Sequence, residues 1–265
     1  MTRTLTRTST HIPTRTHFHS SRLIRILSDL ALADVADPGT AFAEKLGQWV
    51  NYSDAISLSA VLTASAVRPP TMPTGVQTSA VLAAADAFAR VRTALVESIT
   101  KNGWPNPIDK GKALPAAQPE TSLGEAASYE PYRRSYLALQ RDMDAAIRPL
   151  RAQVRDVLSK ASPALKQLAA LDAALDEILG ERESKLLATV PVLLNKRFTQ
   201  LLKAHQQALP VATQADNPAL WLRPGGWLAR FSNEFQTVLL AELDVRLQPT
   251  VGLMEALHNE MTTQR

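Results

Sequence analysis

Apolar residues recur along this chain in steps of three and four, the spacing of one helical face. Leu23, Ile26, Leu27 and Leu30 make the first such set, and Ser20 or Ser21 can cap it. "DPGT" (Asp37–Thr40) breaks the chain, and either Asp37 ahead of Pro38 or Thr40 can start the next helix. Phe42, Leu46, Trp49 and Val50 follow at helical spacing. Asn51 and Asp54 have the arrangement of a capping box, with Ser53 an equally good cap, and Ile56, Val61 and Leu62 resume the pattern. That pause reads as punctuation between helices, and Trp49 and Tyr52 as core anchors. Prolines then crowd "RPPTMPTG" (Arg68–Gly75) and mark a linker. A helix from about Thr78 to Lys101 places Val81, Ala85, Phe88, Leu95 and Ile99 together, with Arg92 interrupting.

The second half carries longer periodic runs. From Pro131, a good first helical residue, Tyr136, Leu139, Met143, Ile147, Leu150, Val154 and Val157 step by three and four. Within that run Tyr136, Met143, Leu150 and Val157 are spaced as in a coiled-coil seam, and Pro149 should kink it. At about 1.5 Å per residue this helix is roughly 45 Å long. Ser162 and Pro163 open another, through Leu165, Leu168, Leu171, Leu175 and Leu179, with Gly180 as an end signal. Leu187, Leu194 and Leu201 continue, and Pro191 marks a second kink. After a loop and "RPGG" (Arg223–Gly226) a final helix starts at Trp227, with Phe231, Phe235, Val238, Leu243 and Leu247 on its stripe and Pro249 inside it. No stretch alternates as a strand does.

The expected protein is all-α. A small three-helix unit (21–66) is followed by a Pro-rich linker (67–79) and by long, kinked helices (80–262) in an elongated antiparallel or coiled-coil-like bundle. A flexible connection lies at 102–128, and a disordered basic tail at 1–20.

Composition narrows the chemistry. Hydrophobic residues make up 45% and aromatics only 5%, a mixture rich in Ala and Leu that favours helix. There is no cysteine, which excludes disulfides, thiolate metal sites and cysteine nucleophiles. Five of the 29 basic residues, Arg3, Arg7, Arg15, Arg22 and Arg25, fall in a stretch without any acid, so the rest of the chain is close to neutral despite a net charge of +4. The Thr-, Ser- and Arg-rich tail reads as disordered, with contact to an anionic partner or organelle targeting as alternatives. No run approaches the roughly 18 apolar residues of a membrane helix.

Motifs for catalysis are missing. HExxH, phosphate-loop, dinucleotide and GxSxG patterns do not occur. His11, His17 and His19 lie in the tail, and His205 and His258 have no ligand at i+4, so no metal and no cofactor is expected. "RPGGW" reads as a tight turn, with an anion-binding helix start as the alternative.

The most informative polar pattern is a row of arginines, Arg134, Arg141, Arg148 and Arg155, opposite the apolar seam. Guanidinium groups in such a row can bind phosphates or an acidic helix. They can equally be solvated, or pair with Asp172, Asp176 and Glu177 on the next helix. Tyr129, Tyr132 and Tyr136 share one face, which favours packing over base stacking.

These observations point to a non-enzymatic helical adaptor or scaffold that binds a helical protein partner or itself. The alternative is a nucleic-acid-binding accessory protein using the basic tail and the arginine row. "SSRLIRILSDLALADV" and "FAEKLGQWVNYSDAISLSAVL" resemble the start of an uncharacterised proteobacterial family, domain of unknown function 3348. The resemblance spans most of residues 20–248. It implies a bacterial, cytoplasmic protein, accessory to a membrane-associated complex, and transfers no catalytic residue.

Overall fold

A computed structural model describes residues 21–32, 48–63, 74–101, 128–208 and 218–263. The tail, most of the 102–128 connection, Trp104 and the loop ahead of Pro218 lie outside the described residues. Within them the protein is all-α, with eight helices and no strand.

Each boundary has a local cause. Helix α1 (Arg22–Asp29) starts at Ser21, whose Oγ accepts from the Ile24 amide. It ends with Ala31 at φ 54 and with the Leu32 amide donating back to the Leu27 carbonyl, a left-handed C-terminal stop. Helix α2 (Tyr52–Thr63) begins with the reciprocal cap: the Asp54 amide donates to Asn51 Oδ1 at 2.8 Å and the Asn51 amide to Asp54 Oδ2 at 3.0 Å. Helix α3 (Thr74–Lys101) starts inside the expected linker, after the last proline of the run. On it Arg92 is exposed, and Val91 holds the place on the inner face.

Helices α4 (Glu130–Ala161) and α5 (Pro163–Leu187) are separated by Ser162 alone. Its hydroxyl accepts from the Leu165 amide, and Pro163 takes the first helical position. So short a joint folds α5 back antiparallel to α4. Helix α5 runs straight through Gly180, contrary to the end signal read there. A two-residue break at Ala188 and Thr189 starts α6 (Val190–Ala208), so Pro191 sits in a first turn, where its missing N–H costs nothing. A four-residue helix, α7 (Pro218–Trp221), leads into α8 (Trp227–Thr263). The turn between them needs both glycines. Gly225 has φ +88, and a Cβ on Gly226 would lie 2.2 Å from the Trp221 carbonyl oxygen. The tight-turn reading of "RPGGW" therefore describes its backbone.

Helices α3, α5 and α8 all pack on α4, and α6 packs on α8 and on the start of α4. Arg151 meets Asp176 and Gln140 meets the Leu187 carbonyl, the register of an antiparallel pair. Gln140 meets Glu242 and Asp144 meets Arg246, so α4 and α8 run parallel. These two helices share a sequence pattern, Met143 with Leu243, Asp144 with Asp244, Ile147 with Leu247 and Pro149 with Pro249, its members offset by about half a turn, because the paired bonds set Asp144 level with Arg246. Both prolines remove a backbone hydrogen bond at about one level of the bundle.

The core lies between these helices. Tyr136, Met143, Leu150, Val154 and Leu158 of α4 are buried against Phe231, Phe235, Leu239, Leu243 and Leu247 of α8 and Leu95 and Ile99 of α3. The α4 seam is thus spent on the protein's own interior. Tyr132 is ringed edge-on by Phe231 and Phe235 at 5.3 and 6.1 Å, and Phe198 closes the cluster at 5.7 Å. Burial raises the Tyr132 hydroxyl to about 12, so it is neutral at all ordinary pH. The described parts of the 21–66 segment dock separately, α1 on α8 and α2 on α5. Tyr52, expected in the core, is 84% exposed.

Candidate binding groove and buried charge network

Where α4, α5 and α8 meet, their apolar faces are interrupted by charge. The deepest group is Glu242, with 0% of its surface exposed. It lies between Ala241 and Leu243, on the buried side of α8. Three side chains satisfy it. Tyr136 Oη donates to Oε2 at 2.5 Å, Gln140 Nε2 to Oε1 at 2.9 Å, and Arg246 Nε to Oε1 at 2.8 Å. Arg246 Nη1 donates onward to Asp144 Oδ1 at 2.5 Å. Tyr136 and Gln140 are one turn apart on α4, as Glu242 and Arg246 are on α8, so two i,i+4 pairs face each other. Burial, and then the Glu242 charge, hold the Tyr136 hydroxyl well above its ordinary pKa, which keeps it a donor.

Further along the α4–α5 seam two arginines and two aspartates form a closed set. Arg151 holds Asp172 with two bonds, Nη2 to Oδ1 at 2.6 Å and Nε to Oδ2 at 2.9 Å, and reaches Asp176 Oδ1 through Nη1 at 2.9 Å. Arg155 donates from Nε to Asp172 Oδ2 at 2.6 Å and from Nη2 to Asp176 Oδ2 at 2.9 Å. Burial pushes the Asp172 carboxyl up, but hydrogen bonds and charge from both arginines outweigh it and hold it below its usual value. A third junction ties α6 to α8: Arg197 Nε and Nη2 donate to the two Glu234 oxygens, each at 2.7 Å. Arg230, on the same helix as Glu234, adds a bond at 3.0 Å.

Between the first two sets lies an open groove of about 370 Å³. Asp144, Arg148 and Arg151 of α4, Gly180 and Glu183 of α5, and Arg246 of α8 are among its walls. Arg246 and Arg151 are each fixed from behind by carboxylates. Glu183 is half-buried and makes no hydrogen bond or ion pair within the described residues. Burial raises its carboxyl above the usual range; Arg246 and Arg151 pull it down, and Asp176 and Asp144 push it up.

The arginine row divides on this frame. Arg134, Arg141 and Arg148 are exposed and form no ion pair within the described residues; Arg141 Nε donates to the Leu137 carbonyl of its own helix. Arg155 turns into the α4–α5 seam and pairs with Asp172 and Asp176, two of the three acids the sequence offered. Position explains the split. Arg155 is one turn beyond Arg151, on the side of α4 that meets Asp172 and Asp176, whereas the residue of α5 across from Arg148 is Gly180, which has no side chain to pair with it. The Glu242 network was not anticipated, although its signal is present: a glutamate interrupts the α8 apolar stripe, with an arginine four residues on. Tyr129, Tyr132 and Tyr136 are buried together, as their shared face implied.

No group of three or more His, Asp or Glu among the described residues is placed to hold a metal ion, and no described helix is long and apolar enough to cross a membrane. No curated protein and no solved structure matches the chain. A family match does exist, described as "Protein of unknown function (DUF3348)", and it covers residues 9–259. The chain belongs to this family.

Proposed function

We propose that the protein is a non-enzymatic helical adaptor that binds a helical partner protein through the outer face of α2. The observation that carries this reading is α2 itself, a helix that buries none of its residues. Asp54, Leu58 and Val61 lean toward α5, while Tyr52, Ile56 and Leu62 stand 84%, 54% and 55% exposed. Asp54 is the helix's one charge and is committed to the cap, so the outer face is uncharged. An uncharged apolar helix face is the ordinary ligand of a helix or groove in a partner. The α4 seam cannot serve, because it is buried.

The test is capture from the native cell by tagged full-length chain, with crosslinking, against an Ile56→Asp, Leu62→Asp variant. Both residues are exposed, so the variant should keep the wild-type melting temperature. A defined protein held at physiological salt and lost by at least tenfold in the variant is expected. Empty captures, or a partner retained by the variant, would refute the proposal. It also carries a cytoplasmic location and a role accessory to a membrane-associated complex, both motivated by the family resemblance. Cell fractionation tests these: the chain should partition with cytosol and with a salt-extractable membrane fraction, and recovery only outside the cytoplasm would contradict them.

A second reading, nucleic-acid binding, draws support from Arg134, Arg141 and Arg148, exposed at intervals of about 10 Å along α4. Each phosphate contact contributes about −0.9 to the slope of log K on log salt with duplex DNA. Replacing all three by Ala should then flatten the slope by roughly 2–3. An unchanged slope excludes the row as a phosphate track.

A further inference from the structure

The groove between α4, α5 and α8 has features that core packing does not require. Its volume of about 370 Å³ is within the range of small-molecule sites. Gly180 lies in the interior of α5 on the groove wall, and glycine is the poorest helix former after proline. Nothing near it demands glycine: a Cβ there would come no closer than 3.9 Å to Asp176 Oδ1. Any larger side chain would project into the groove.

Among its walls Glu183, Glu177 and Arg148 form no ion pair within the described residues; Glu177 is exposed, and Glu183 is the half-buried carboxylate. Glu183 has no hydrogen-bond donor, although Arg246 and Arg151 are near enough to attract it. Arg148 has no ion pair and offers all five of its N–H groups. The antiparallel register, fixed by Arg151 with Asp176 and by Gln140 with the Leu187 carbonyl, sets Glu183 across from Asp144 and sets Gly180 across from Arg148. Along the groove the backbone positions of Glu183 and Arg148 are therefore offset by about one helical turn, roughly 5–6 Å along the axis. Their supports are rigid, because Arg246 and Arg151 are held from behind by Glu242, Asp144, Asp172 and Asp176.

We propose that this groove binds a small zwitterion, with its ammonium on Glu183 and its carboxylate on Arg148, the two groups a few carbons apart. The ammonium supplies the hydrogen-bond donors Glu183 lacks, and the carboxylate takes the Arg148 fork. Gly180 leaves room for the methylene chain between them. Glu183 must be ionised to hold the ammonium. Its raised carboxyl makes binding weaken as pH falls through that raised value, earlier than an exposed glutamate would dictate.

Isothermal titration of the full-length protein with γ-aminobutyrate tests the proposal, with butyrate and butylamine as analogues carrying one charge each. One-site binding is expected, and each analogue should bind at least tenfold more weakly. Arg148→Ala and Glu183→Gln should each weaken γ-aminobutyrate at least tenfold, and Gly180→Leu should abolish it. Circular dichroism and the melting temperature show whether each variant is folded, and Arg148 is exposed, so R148A remains informative if the other two do not fold. Three results would overturn the proposal: no saturable binding below about 10 mM, butylamine binding as tightly as the amino acid, or R148A binding like the wild type. Capture of a partner through α2 does not depend on any of these outcomes.

Discussion

Replacing Tyr136 by Phe removes one oxygen from the interior and nothing else. The ring keeps its edge-on contact with Phe235 at 5.4 Å. What is lost is the 2.5 Å bond to Glu242 Oε2, and no water can replace it, because Tyr136 and Glu242 are both fully buried. Hydrogen bonds to charged groups contribute about 1.5–3 kcal/mol. For domains of this size each kcal/mol moves the melting temperature by about 2–4 °C, so Y136F should melt roughly 3–12 °C lower. Urea unfolding followed by far-ultraviolet circular dichroism should show a lower midpoint and an unchanged slope. In a Glu242→Gln background the same substitution should cost about 1 kcal/mol less, since the charge that strengthened the bond is gone. Tyr132→Phe is the control. Its ring is equally enclosed, but its hydroxyl makes no hydrogen bond within the described residues, and it should be close to neutral. A Y136F variant within about 0.5 kcal/mol of wild type would show that the hydroxyl does not support the buried charge. So would an equal cost in both backgrounds.

Gly226→Ala should destabilise by several kcal/mol or prevent folding, because its Cβ would collide with the Trp221 backbone at 2.2 Å; a normal melting curve would refute that geometry. Glu183→Gln should stabilise the protein near neutral pH. The folded state binds this proton more tightly than the unfolded chain, so the carboxylate's cost grows as pH rises through its raised folded value and vanishes below about pH 4; a pH-independent difference between the two melting curves would refute the sign. Arg134→Ala with Arg141→Ala should leave stability within about 0.5 kcal/mol, whereas Arg155→Ala should cost clearly more, since it strips a donor from two carboxylates in the α4–α5 seam; equal melting temperatures would erase the distinction between solvated and structural arginines. Glu242→Leu combined with Arg246→Met should cost far less than Arg246→Met alone, which by chemical denaturation should lose about 3–5 kcal/mol; if the single and double variants unfold at the same urea concentration, the buried charge is not the source of the loss.

Much of the helical architecture was legible, because its signals are local. Ser21, Asn51 and Ser162 announce their helices through side-chain oxygens that accept or exchange bonds with nearby amides. The steps of three and four on α4 and α8 mark the faces that became the core. Failures came where tertiary position decides. Gly180 has the composition of a stop but lies on a helix held on both sides of it by α4. Tyr52 has the composition of a core anchor but stands on a helix that rests on its neighbour by one narrow side. Arg134 and Arg155 are equivalent in spacing and differ only in where α5 passes, which no periodicity encodes. The groove was illegible for the same reason. Its walls come from three helices, and Glu183 and Arg148 become neighbours only through the hairpin register.

That register raises a problem which the buried charges answer. Helices α4 and α8 lie parallel and carry nearly the same apolar pattern, with Met143, Ile147 and Pro149 matched by Leu243, Leu247 and Pro249. Leu, Ile and Met are close in volume, so apolar packing alone separates the observed alignment from one shifted by a helical turn of about 5.4 Å only weakly. Glu242 removes the ambiguity. Its oxygens meet the Tyr136 hydroxyl and the Gln140 amide together, while Arg246 meets Asp144. A shift of one turn toward the α4 C-terminus would set Glu242 against Asp144, and the opposite shift would take it past Gln140 and leave Arg246 without Asp144. Arg246, on the same helix, stays with Glu242 in either case, but each shift takes one α4 donor from Glu242 and parts Arg246 from Asp144, at about 1.5–3 kcal/mol for each charged hydrogen bond lost. The network is thus worth less as attraction than as a penalty on the alternatives. The same alignment that satisfies Glu242 also fixes Arg246 at the head of the groove, across from Glu183.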